Sequence, residues 1–220
     1  MSNPYEKKNK YGMTRAQEIQ ASKLFGKYVS KEKAIVLFIV TSIACFMPCL
    51  NGLRLWDSIP EIVETGLIGA SGEDDSLPRA VLVFGIPGLM TVLNIICHAQ
   101  LWLNQKSEKL APQASRIVGR WGFPILSVIF ASGCIIKGAG QSLDALFIVP
   151  CAAALLLMLY SSHVFDDASK NLRIPSVFWM VASLFILFML MYFGTLPLWS
   201  AVVLVALLVL PFAAVKIKSE

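Results

Sequence analysis

Few residues in this chain are placed where they could do chemistry. Thr91, Asn94 and His98 sit three and four apart inside an apolar run, so a helix puts them on one face. A histidine there could relay a proton or hold a ligand, and an asparagine could bond a substrate or a neighbouring helix. The plainer alternative for both is hydrogen-bonded packing between helices. Cys45 and Cys49 are one helical turn apart, but no further histidine or cysteine completes a metal set, so they read as small buried residues. All five cysteines lie in apolar stretches, and no disulfide is expected outside the membrane. Glu73, Asp74 and Asp75 form the densest acidic run. They could face a cationic ligand, or they are acids tolerated in an outer loop. The sequence has no phosphate-cradling glycine loop, no His-Glu-x-x-His and no grouped Ser/His/Asp set. The expectation is a non-enzymatic protein without cofactor or metal, with Glu73, Asp74, Asp75, Asn94 and His98 as its ligand-facing candidates.

The elements that position these residues are apolar runs. The chain has 220 residues, 56% hydrophobic and 15% charged, with a mean hydropathy of +0.68. That predicts an all-α polytopic membrane protein, because backbone polar groups in lipid must be satisfied within each segment. A transmembrane barrel would instead show short alternating segments. The clearest run is Pro78 to Leu103: no residue between Arg79 and Lys106 carries a fixed charge. Its length suits the roughly 20 residues that cross a bilayer core of about 30 Å. Six spans are predicted, at about 34–50, 80–103, 121–136, 143–162, 174–193 and 198–215. Pro87, flanked by Gly85 and Gly88, should kink the second, and Pro124 falls in the first turn of the third.

Residues 1–33 read as a basic cytoplasmic tail. Thr14 with Gln17 fits a capping box, so a short helix there either lies on the membrane surface or is simply solvated. Residues 51–79 read as an acidic extracytoplasmic loop, with 71–76 an exposed turn. Lys and Arg number sixteen in the segments assigned inside and three in those assigned outside. That bias predicts both termini inside.

Trp56-Asp57-Ser58-Ile59-Pro60, the later Gly66 or Gly69 with Asp74, Pro87, the Gly119–Ser127 entry to span three and Asn171-Leu172-Arg173-Ile174-Pro175 together carry a resemblance. In layout and in these motifs the chain resembles the SdpI family of bacterial membrane immunity proteins, including its N-terminal domain of formerly unknown function. Where that family has His-Phe-Asn, Ile62-Val63-Glu64 stands nearby, and the family's Trp-rich inner segment before span five is absent. The resemblance implies a multi-pass protein of the bacterial cytoplasmic (inner) membrane that confers resistance to a secreted antimicrobial peptide. It also implies capture of a membrane-recruited regulator. The partners expected are the lipid bilayer, a secreted cationic peptide and that regulator, with no nucleic acid. A second reading is a small-solute transporter, or a membrane component of one, hinged at Pro48, Pro87, Pro150 and Pro211. A polar cavity reaching Asn94 and His98 would favour transport, and a dry closed bundle the immunity reading.

Overall fold

The structure, a computed structural model, describes residues 31–68, 74–106, 113–167 and 170–217. It is 86% helical, and five helices are long and apolar enough to cross a membrane: Glu32–Arg54, Val81–Asn104, Ser115–Gly138, Ala145–Phe165 and Leu172–Phe193. Such a set fits a multi-pass membrane protein. The sixth predicted run is helical as well, and its apolar stretch Leu198–Val209 is shorter than a crossing. Residues 1–30 of the basic tail and Glu73 lie outside the described residues, and the last three of the tail, Lys31 to Lys33, are helical.

The first span is broken in the middle. It consists of α1 (Lys31–Phe46) and α2 (Pro48–Arg54). Pro48 has no N–H to give to the Ala44 carbonyl. The Met47 N–H serves that carbonyl at 3.3 Å and Ile43 at 3.1 Å, and the chain resumes as α2. The span therefore runs on past the predicted end at Leu50.

A 3-10 turn (Trp56–Ser58) then leads into a hairpin of β1 (Ile62–Ile68) and β2 (Asp74–Pro78). Among the described residues, this hairpin departs from the all-helical expectation. The strands pair antiparallel, Val63 with Leu77 and Glu64 with Ser76, and the register shifts before Ile68 meets Asp74. Asp74 to Ser76, read from sequence as part of a turn, belong to β2, and Ser71 to Glu73 lie outside the described residues.

The second span opens with a π-helical turn, Val81–Gly85, and continues as α3 (Ile86–Lys106). The Ile86 N–H reaches back five residues to the Val81 carbonyl. The extra residue sits just ahead of Pro87, where a kink was predicted.

The third span departs most from its predicted bounds. It comprises α4 (Gln113–Leu126), a π turn (Ser127–Ala131) and α5 (Ser132–Gly138). Helix starts well before Trp121, so Pro124 lies inside it and not in its first turn. The helix carries Arg116 and Arg120 ahead of the predicted start, as a helix can bear arginines along one face while its apolar face packs. It ends in a Schellman-type stop: the Gln141 N–H bonds the Ile136 carbonyl at 3.0 Å, with Gly140 at φ 69°.

Two long helices follow, α6 (Ala145–Asp167) and α7 (Lys170–Phe193), extending into the predicted loop between them. The last, α8 (Leu198–Ile217), packs against α7 after a turn through Gly194 and Pro197.

The core gathers Leu37 and Ala44 of α1, Trp121 of α4, Val128 of the π turn, Ile135 of α5, Met158 of α6, and Met180 and Leu190 of α7. Between helices in lipid the driving force is close packing and hydrogen bonding more than water release. Small hydroxyl residues accordingly sit at the joints. Ser127 Oγ donates to the Cys45 carbonyl at 2.6 Å, and Trp121 Nε1 donates to Ser162 Oγ at 3.1 Å.

Candidate functional site

The predicted candidates separate into two places. Asn94 and His98 meet in the contact between α1 and α3. The Asn94 amide donates to Thr41 Oγ1 and to Ser42 Oγ, each at 3.2 Å. His98 Nε2 lies 3.0 Å from the same Thr41 oxygen. Thr41 Oγ1 also lies 3.1 Å from the Phe38 carbonyl. Phe38 also meets the imidazole edge-on, at 5.5 Å between centroids. The ring bonds the backbone of Arg120, whose carbonyl Pro124 leaves without its usual helical donor. Asn94 is 0% exposed, and its Oδ1 is without a partner.

This cluster joins the first three spans, and Thr41 and Asn94 within it are buried. A pocket of about 240 Å³ touches His98, but its other lining residues are apolar, among them Ile35, Phe38, Ile95 and Trp102. Asn94 does not line it. The five cysteines are free thiols, and among the described residues no group of three potential ligands could hold a metal ion.

The acidic candidates belong to the other end of the bundle. Asp74 and Asp75 open β2, and Glu73 lies outside the described residues. Asn94 and His98 are thus not brought together with them: Val81 to His98 alone is seventeen residues of helix, about 25 Å at 1.5 Å each.

Arg79 builds the hairpin end. Its N–H bonds the Glu61 carbonyl at 2.8 Å. Its Nη1 donates to the carbonyls of Trp56 at 3.0 Å and Ile59 at 3.1 Å. The guanidinium lies 4.3 Å from the centre of the Trp56 ring, and Trp56 contacts Phe84 at 5.9 Å. One side chain therefore ties the 3-10 turn, the base of the hairpin and the second span together, with Ile59 buried beneath at 2% exposure.

The second arginine here is also engaged. Arg54 Nη2 donates to Asn51 Oδ1 at 2.7 Å, and its guanidinium lies over Gly194 just past the end of α7. A cation suits the negative end of a helix. By contrast Asp57, Glu61 and Glu64 are exposed, as is Lys137 at the end of α5.

The hairpin roofs a pocket of about 580 Å³ that the sequence did not announce. Pro60, Ile62, Val63, Glu64 and Leu77 form its roof. Leu82 and Phe130, one from each π turn, line it below together with Ile86, Cys134 and Lys137. A π turn offsets the side chains that follow it, and both offsets here serve the same pocket. The available signal was the strand-forming Ile62-Val63-Glu64-Thr65 followed, after Ser71-Gly72, by Leu77; seven residues among acids are easily read as loop.

No protein-family model matches the chain, and comparison with characterised proteins and with solved structures gave no match either.

Proposed function

We propose that the chain is a non-enzymatic, six-helix protein of the bacterial cytoplasmic membrane that recognises a secreted cationic peptide at its hairpin end, as an immunity or sensing protein. The observation that carries this reading is how charge is used there. Arg79, half-buried, and Arg54, exposed, are both hydrogen-bonded to the protein, and Asp57, Glu61 and Glu64 are exposed on the hairpin base beside them. An acidic surface on a folded scaffold attracts a cationic ligand and loses less ordering entropy on binding than a loose loop would. The excess of Lys and Arg in the other set of segments supports an outward-facing hairpin. The apolar surroundings of His98 and the enclosed Asn94 support the closed-bundle side of the choice against transport. The likeness in layout to the SdpI family supplies the immunity element, and a membrane-recruited regulator remains part of that proposal.

The test is survival of a peptide-sensitive host expressing the chain, challenged with the cationic peptide encoded beside its gene. Protection that falls when Asp57, Glu61 and Glu64 are neutralised together is the expected result. Absence of protection at verified membrane expression would count against the reading.

A further inference from the structure

The pocket beneath the hairpin has a chemistry of its own and shares only Glu64 with the acidic surface. Its volume of about 580 Å³ lies within the range of small-molecule sites, about 300–1,000 Å³. Ile62, Leu77, Leu82, Ile86 and Phe130 make its walls apolar, and two exposed side chains of opposite sign, Lys137 and Glu64, stand on it. Lys137 is one residue from the end of the span Ser115–Gly138, and Glu64 lies in the hairpin that precedes the span starting at Val81. The charges therefore stand where the apolar helices stop, at the level of lipid head groups, and the apolar walls lie beside them. A cation and an anion at the mouth of an apolar pocket complement a molecule with an apolar chain and a zwitterionic head.

We propose that this pocket holds one phospholipid with a zwitterionic, ammonium-bearing head, from the leaflet at the hairpin end. An acyl chain lies between the hairpin and the two π turns, the phosphate faces Lys137 and the ammonium faces Glu64. In a bilayer such a lipid is always present at the mouth, so even a weak site fills by mass action.

Cys134 lines the pocket and supplies the readout. The full chain, with Cys45, Cys49, Cys97 and Cys151 changed to Ala, is purified in lipid-free maltoside micelles. Alkylation of Cys134 by N-ethylmaleimide is then timed with and without added dioleoyl phosphatidylethanolamine. At lipid about ten times its Kd the open fraction falls to about a tenth, so alkylation should slow about tenfold. Dioleoyl phosphatidylglycerol, which lacks the cation, should protect less, and glycerophosphoethanolamine, which lacks the chains, should not protect. Lys137→Glu should abolish protection and Lys137→Arg should keep it. Rates are compared within each variant, because Lys137 also sets the field at the thiol. Lys137 is exposed, so its replacement leaves the core intact. Should the cysteine-reduced chain fail to fold, the same rates are read in the wild type by mass mapping of the Cys134 peptide.

Unchanged alkylation with phosphatidylethanolamine would overturn the proposal, as would equal protection by phosphatidylglycerol or in Lys137→Glu. Protection by a cationic amphipathic peptide where the lipid gives none would assign the pocket to the peptide and overturn it equally.

Discussion

At the scale of single residues, position in the fold separates tying from recognition. Arg79 satisfies two carbonyls with one nitrogen and covers Trp56. Hydrogen bonds from a charged group contribute about 1.5–3 kcal/mol and a cation–π contact about 0.5–2. Arg79→Ala should therefore loosen the hairpin by about 2 kcal/mol or more, read as faster hydrogen exchange through 59–68 and 74–79. Arg79→Lys keeps the charge but loses the planar group over the indole, so exchange should fall between the two. Hairpin exchange unchanged in Arg79→Ala would remove it as the tie. Asn94 makes a different prediction. Its bonds run to Thr41 and Ser42 on a neighbouring helix, and interhelical bonds of this kind are worth about 1 kcal/mol. Asn94→Ala should lower thermal stability in detergent by about that amount and leave peptide protection unchanged. Loss of protection at unchanged protein level would make Asn94 more than a joint. The sequence marked Asn94 and His98 as sharing a face, and they do meet. It could not mark Thr41, because that partner lies 53 residues away and looks like any threonine in an apolar run.

At the scale of elements, apolar length was legible and irregularity was not. The run after Arg79 is a helix as read, because twenty-odd uncharged residues in lipid have no alternative that pairs their backbone. The third span was read from about 121, yet helix runs through Arg116 and Arg120 ahead of it. The hairpin was missed because its strands are short and one is acidic. Prolines were visible, but how the chain absorbs each was not: a break at Pro48, a π turn ahead of Pro87 and another after Pro124. Glycines show why local context decides. A side chain on Gly52 would overlap Val83 of the first π turn, whereas nothing lies within 4 Å of a Cβ on Gly88. Gly52→Leu should cost about 1–3 kcal/mol through overpacking of α2 against that turn. Gly88→Ala should stabilise by up to about 1 kcal/mol by restricting the unfolded helix. Melting in detergent should rank Gly88→Ala at or above the parent and Gly52→Leu below it. The reverse order would mean that α2 does not pack on the π turn.

At the scale of the whole molecule, one end carries an ordered hairpin, exposed acids and a roofed pocket, and the helical bundle encloses its polar residues. Composition and apolar runs alone gave the membrane class. The pocket required three chain segments to meet, and no periodicity encodes that. The assignment of sides rests on the cost of moving Lys and Arg across a membrane that is negative inside. Ser76 in β2 and Asn104 near the far end of α3 are both exposed. Single cysteines at these positions, in a background without native cysteines, read the orientation directly in intact cells with a membrane-impermeant maleimide. With the hairpin outside, Ser76→Cys is labelled and Asn104→Cys is labelled only after the cells are opened. Labelling of Asn104→Cys in intact cells with Ser76→Cys spared would turn the hairpin inward and contradict recognition of a secreted peptide there.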